Sequence, residues 1–261
     1  MEKSDVVGSS LIEHLINYGE LKVWSVLVTI LGDLAPRAGM YIPGPALAAL
    51  TGRIGIKPQA LRVAIHRLRK EGWIEGTKIG RVSHYALSEM GRLETERVEP
   101  EVYGSVAPER KQPYLLVIPP RSTDKMPPNA IKLSRDLYLS DHIPPSIDGL
   151  LTISGENRQW PDWVQEAVLP PQLAEQHEAL TKLLSADHED PADLEPFDRI
   201  ALRILILHNW RRLVLRRSPL APLFWDKEWI GTQCQYHVTR WLTALSRDDA
   251  QKAIHGAAVS H

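Results

Sequence analysis

"KPQALRVAIHRLRKEGWIEGTKIGRVSHYAL", Lys57 to Leu87, is the stretch whose reading decides the fold. Pro58 suits a first helical turn, because the N–H it lacks has no partner there anyway. Leu61, Ala64, Ile65 and Leu68 then recur at i, i+3, i+4 and i+7, which is one helical face. Gly72 ends the helix just after Glu71. Two strands follow near Trp73–Thr77 and Val82–Leu87, joined through Lys78-Ile79-Gly80-Arg81.

Upstream, "ELKVWSVLVTILGDLA" sets Val23, Leu27, Ile30, Leu31 and Leu34 on one stripe, an amphipathic helix. "YIP" is a brief strand. Pro45–Thr51 forms a compact helix with proline at its start and Gly52 at its end. Leu11, Leu15 and Ile16 predict a short arm helix before these, and "SEMGRLETERVEPEVYG" predicts a closing helix and linker after them. The order helix, short strand, helix, turn, helix, two-stranded wing is that of a winged helix.

If Leu61, Ala64, Ile65 and Leu68 face the core, the opposite strip is centred on Gln59, Val63, His66 and Lys70. Arg62 and Arg67 flank it. Short and polar groups at the centre suit the base edges of a major groove, and long cations at the sides suit its phosphate walls. Lys57 and Gln59 lie at the helix N-terminus, where free N–H groups and the dipole also favour a phosphate. Arg62 is equally placed to read guanine with two hydrogen bonds. Lys78 and Arg81 stand beside Gly80 at the hairpin end, where a wing meets backbone or minor groove. The DNA-contacting set is therefore Lys57, Gln59, Arg62, Val63, His66, Arg67, Lys78 and Arg81. Trp73 and Tyr85 are expected in the base of the wing, Trp24 between the arm and the first long helix, and His84 on the wing's exposed face or paired across the strands.

The chain of 261 residues has 43% apolar residues and a formal net charge of −1. Its charges are unevenly spread. Residues 20–92 carry eleven Lys/Arg against five Asp/Glu, and residues 121–199 carry seven against fifteen. A basic module that meets polyanions is thus joined to an acidic one. A single cysteine, Cys234, excludes an internal disulfide and fits a reducing compartment. No apolar run reaches a membrane span and no signal peptide is evident, so a cytoplasmic protein with no membrane partner is expected.

A second segment opens with the apolar strand "QPYLLVIPP" and continues with short strands near 130–133, 137–140 and 150–154. From Trp160 the pattern turns helical. In "RIALRILILHNWRRLVLR", Ile200, Ile204, Leu207 and Leu215 form an apolar stripe, with Arg203, Arg211, Arg212, Arg216 and Arg217 between them. His208 reads as a packed structural histidine. The arginines read as cations that suit the end of a core helix, with a phosphate-holding cluster as the alternative. Trp225, Trp229 and Trp241 read as an aromatic pocket or as interface anchors.

Two other function classes find less support in the sequence. Asp124, Asp136, Asp141 and Asp148 are the candidate carboxylates of a small metal-dependent nuclease, and no pair among them has a compelling spacing. No Ser-His-Asp signature, phosphate-binding glycine loop or HExxH is present. No catalytic residue, metal site or cofactor is expected. A winged helix used for protein contacts, as an interaction scaffold without DNA binding, is disfavoured by the basic module and its polar strip.

Three segments together resemble the PaaX-like family, repressors of phenylacetic acid degradation. Thr29-Ile30-Leu31-Gly32-Asp33 matches a "TIxGD" run. Arg62, Arg67-Leu68, Glu71-Gly72-Trp73, Gly80-Arg81, Tyr85 and Leu87 match the third helix and wing. Leu202–Pro222, with His208, Arg211, Arg212 and Pro219, matches a late "LRxLLIHxxRRLxLRDPxLP" run. The resemblance implies a mostly helical α+β chain in three parts. These are a winged helix with its arm at 1–97, a small ferredoxin-like domain at 98–158, and a helical dimerisation domain at 159–261. It further implies a homodimer on a palindromic operator in double-stranded DNA, repression of an aromatic-acid operon, and release by an aryl-acyl-CoA effector. Arg62, Arg67 and Arg81 are the best-matched DNA contacts. The middle part departs from the family. "PPRSTDKMPP" is too short for a full helix after the first strand, and "KQPYLLV" replaces the usual Trp-Asp-Gly entry.

Overall fold

The computed structural model describes residues 5–104, 112–119, 126, 129–145, 147–154, 160–186, 188, 190–218, 220–221 and 230–259. Among them the chain is α+β, with ten α-helices and two small antiparallel sheets. In order these are α1 Asp5–Asn17, α2 Val23–Leu34, β1 Ile42–Pro43, α3 Gly44–Arg53, α4 Pro58–Lys70, β2 Ile74–Ile79, β3 Val82–Leu87 and α5 Glu89–Tyr103. There follow β4 Tyr114–Val117, β5 Ile131–Lys132, β6 Leu137–Ser140, β7 Leu151–Ser154, α6 Asp162–Val168 and α7 Pro171–Ser185. The last are α8 Pro196–Val214, α9 Ile230–Ala244 and α10 Arg247–Val259, with a 3-10 turn at Pro191–Asp193. The chain divides into two compact units, one of residues 1–104, 180–215 and 236–261, the other of residues 105–179 and 216–235.

In the first unit α2 is an interior helix. Every residue from Ser25 to Leu34 is buried, beyond the single stripe its periodicity predicts. An apolar helix buried on all sides needs neighbours all round, and α4, α8 and α10 supply them. The three-stranded sheet has the order β1-β3-β2. Its hairpin register pairs Ile74 with Leu87, Gly76 with Tyr85, Lys78 with Ser83 and Ile79 with Val82. Ser88 caps α5, its Oγ accepting from the Gly91 N–H at 3.0 Å. The Ser88 N–H donates to the Trp73 carbonyl at 3.0 Å, so the cap also fixes the entry to the hairpin.

α8 is the axis of this unit, buried continuously from Ile200 to Trp210. Three polar side chains lie inside it, Arg203, His208 and Asn209. Arg203, grouped by the sequence with the cations that suit the end of this helix, is instead sealed in an ion pair with Asp33. Leu215, expected on the apolar stripe, lies past the helix end and is exposed. Asn209 donates to the Leu15 carbonyl at 3.0 Å and Trp210 to the Val102 carbonyl at 2.9 Å, so α8 satisfies backbone groups of α1 and α5. Gln251 of α10 does the same for Leu34 at the end of α2.

The second unit holds a four-stranded antiparallel sheet of order β5-β6-β4-β7. Its first strand in sequence lies between the third and the fourth. Leu139, Val164, Val168, Leu220 and Ala221 form its core, with Leu115, Ile131, Leu133 and Trp160 packed against them.

Candidate nucleic-acid interface

α4 buries Leu61, Ala64 and Leu68, while Ile65 is only half-buried at the edge of that face. The opposite strip is open. Gln59, Arg62, Val63, His66 and Lys70 are all exposed, as is Lys57 at the N-cap. Val63 is 59% exposed. A β-branched residue that open on a polar strip suits a thymine methyl.

The two flanks of the strip differ. On one side the Arg67 Nε donates to Glu71 Oε1 at 2.8 Å, and the guanidinium lies 5.6 Å from the centre of the Trp24 ring. Arg67 is therefore already committed, and Trp24 faces α4. On the other side stands Arg62. Arg69, seven residues on, falls on the same edge, since seven residues are nearly two turns. Its Nε lies 3.7 Å from where a Cβ on Gly76 would sit, so it rests against β2. The sequence reading left Arg69 out, although the helical arithmetic that selected Arg62 also selects it.

The hairpin is tighter than its sequence predicts. Lys78 and Ile79 belong to β2, so the turn is Gly80-Arg81 alone. Gly80 has φ of 62°, in the left-handed region that glycine enters freely. Lys78 is thus a strand residue paired with Ser83, not a turn residue. It points to the same face as Gly76 and the buried Ile74. Arg81 is exposed at the turn. The Tyr85 ring crosses Gly76, with its carbons 3.4 Å from the position of an added Cβ. His84, expected on the wing's outer face or in a cross-strand pair, is buried. It lies opposite Thr77 with its ring edge-on to Tyr41 at 4.6 Å.

Arg53, at the end of α3, is held by both carboxylate oxygens of Asp198, at 3.0 and 2.9 Å. The wing-side cations Arg62, Arg69 and Lys78 make no ion pair among the described residues.

His208 sits deep in the same unit, its Nδ1 3.2 Å from Thr29 Oγ1. Burial, reinforced by the charges of Arg212 and Arg211, lowers its pKa to about 3, so it is neutral. Trp241 donates to the Leu184 carbonyl at 2.9 Å. Of the carboxylates weighed for catalysis, Asp141 pairs with its neighbour His142 at 2.8 Å. Asp124, Pro219, Pro222, Trp225 and Trp229 lie outside the described residues. Among those described, no three His, Cys, Asp or Glu side chains gather as a metal would need. No helix among them is long and apolar enough to cross a membrane.

Comparison with known proteins finds one family model, one curated relative and a solved structure of similar fold. Transcriptional repressor PaaX of Escherichia coli (strain K12) is 33% identical over 109 residues, 42% of this chain and 34% of that protein. The match spans about a third of the curated relative's length. Among solved structures, the uncharacterized protein Rv0674 from Mycobacterium tuberculosis aligns with a TM-score of 0.53 over 90% of this chain and 100% of that one. At 17% identity that is a likeness of fold. The family model described as PaaX-like protein matches residues 22–91, which run from the start of α2 through the hairpin into α5. That match makes residues 22–91 similar to the PaaX-like family over about a quarter of the chain.

Proposed function

We propose that this protein is a DNA-binding transcriptional regulator that acts as a repressor. The observation that carries the reading is the open strip of Gln59, Val63 and His66 on α4, edged by uncommitted cations and followed at once by a hairpin. In this reading α2, α3, α4 and the β1-β3-β2 sheet form a winged helix. α4 enters the major groove, and Arg81 at the hairpin turn meets the backbone or minor groove. The name of the curated relative, a transcriptional repressor, supports repression.

The remaining parts follow from the same reading. The first strand of the second unit's sheet lies between the third and fourth, the strand order of a ferredoxin-like domain. The protein acts as a homodimer, since two copies of one reading helix match the two halves of a palindromic operator. An aryl-acyl-CoA is the effector, and an aromatic-acid catabolic operon of the phenylacetate type is the target. The protein is not an enzyme and works in the cytoplasm.

Anisotropy titration of a labelled duplex at low and high salt tests the reading. Each phosphate neutralised lowers the log–log salt slope by about 0.9, so affinity should fall steeply with salt. Arg62→Ala and His66→Ala should each cost about 1–3 kcal/mol of base discrimination. Absence of duplex binding, or binding indifferent to salt, sinks the proposal. Thermal shift with a set of acyl-CoAs tests the effector, because a ligand of the native state raises apparent stability.

A further inference from the structure

We infer that one strand of DNA phosphates runs in the cleft between α4 and the β2–β3 hairpin, gripped by Arg69 together with Arg62 and Lys78. The inference rests on the DNA-binding reading above and adds to it the side on which the backbone is held.

The two flanks of α4 are chemically unequal. On the α2 side, Arg67 is neutralised by Glu71 at 2.8 Å and lies against Trp24. On the hairpin side, Arg62 and Arg69 share one edge of the helix, both exposed. At about 1.5 Å rise per residue they are roughly 10 Å apart along the axis, enough to reach different phosphates. Lys78 adds a third cation from the opposite wall. It lies two residues beyond Gly76 on the same strand face, and Arg69 lies against Gly76. Gly76 has no side chain to fill the cleft, and the Tyr85 ring forms its floor. Among the described residues the three cations have no acidic partner, while both nearby acid-paired arginines, Arg53 and Arg67, lie elsewhere. A guanidinium free of competing carboxylates grips a phosphate with two parallel hydrogen bonds. Arg69 and Lys78 lie back from the outward strip centred on Gln59, Val63 and His66, so their grip positions the helix without reading sequence, and Arg62, at the edge of that strip, joins the phosphate wall to the base-reading face.

The test uses the full chain and a labelled random-sequence duplex, titrated between about 50 and 200 mM salt. Arg69→Ala and Lys78→Ala should each lower affinity several-fold and reduce the salt slope by about 1. Arg69→Lys should restore the slope, because charge is what is measured. Arg67→Ala should leave the slope unchanged. Circular dichroism of each variant checks the fold. A slope unaltered in Arg69→Ala, a loss as large in Arg67→Ala, or no rescue by Arg69→Lys would overturn the inference. If the wild-type chain shows no salt-dependent binding, the proposed function fails instead, and the two failures are told apart by that control.

Discussion

Asp33 on α2 and Arg203 on α8, 170 positions apart, form a two-pronged buried ion pair, with Nε 2.6 Å from Oδ2 and Nη2 2.8 Å from Oδ1. Tyr103 of α5 donates to the same carboxylate at 2.9 Å and Arg247 of α10 at 3.2 Å. The third nitrogen of Arg203 donates to the carbonyls of Leu242 and Leu245. Four helices thus converge on one carboxylate whose oxygens are all satisfied. Removing Asp33 leaves the Arg203 guanidinium buried without a counter-charge, which costs about 3–5 kcal/mol, whereas removing Arg203 leaves Asp33 with Arg247 and Tyr103. In urea titrations Asp33→Asn should lower the unfolding free energy by that much and Arg203→Met by less. The double variant should lose less than the sum of the two, because the second change removes the orphaned charge. Additive losses would show that the pair is not a unit.

That pair marks the limit of what the sequence displays. The α4 helix and its hairpin are legible because a 3.6-residue period and glycine stops are local signals. The Asp33–Arg203 contact is tertiary. Nothing in the spacing of Ile200, Ile204 and Leu207 says that the arginine among them points inward. The one available clue was that the "TIxGD" run and the late arginine-rich run both carry the family likeness. In the structure those runs touch, through Asp33 with Arg203 and Thr29 with His208. Lys78 was misplaced for a different reason. Turn length sets strand register, and a two-residue turn at Gly80-Arg81 draws two more residues into β2 than the apolar pattern alone shows. Arg69 was legible, since it lies seven residues from Arg62 on the same helical edge.

His208 gives the fold an acid-side liability. Thr29 Oγ1 donates to the Ser25 carbonyl, so His208 Nδ1–H donates to Thr29 and the ring stays neutral. Its folded pKa is about 3, lowered first by burial. In the unfolded chain a histidine titrates near 6.5. Between those values the unfolded chain holds a proton that the folded chain does not, so stability rises with pH through that window. Stability is therefore lost as pH falls below about 6.5, by up to about 1.4 kcal/mol per unit from this residue. His177, lowered by burial to about 4, acts with the same sign. His208→Gln should be less stable near neutrality yet lose less between about pH 7 and pH 5 in denaturant titrations. A variant with the wild-type pH slope would show that His208 titrates normally.

Two glycines should respond to alanine with opposite signs. A Cβ on Gly91 would be driven into the carbonyl oxygen of Trp73, which the Ser88 N–H holds in place. Backbone cannot step aside as a side chain can, so Gly91→Ala should cost about 1–3 kcal/mol. Gly52, inside α3, has nothing within 4 Å of the same added atom. Gly52→Ala should stabilise by about 0.4–1 kcal/mol, chiefly by restricting the unfolded chain. Thermal melts of the two variants check the ranking, and equal shifts would mean that the α5 cap yields.

Glu71 is the acid that keeps Arg67 from the outward strip of α4. Both side chains are about half exposed, so the pair contributes only about 0.3–0.5 kcal/mol to stability. Its effect on DNA should be larger. Glu71→Gln removes a negative charge from the binding face and frees the Arg67 guanidinium to swing toward the second phosphate wall. Affinity for duplex should rise, and the log–log salt slope should steepen by about 1. Glu71→Gln combined with Arg67→Ala separates the two contributions. If the gain comes from freeing Arg67, the double variant returns to the wild-type slope. If it comes from lost repulsion alone, the double variant keeps the higher affinity at low salt. Melting temperature should move little in either variant, so a change in binding can be assigned to the interface.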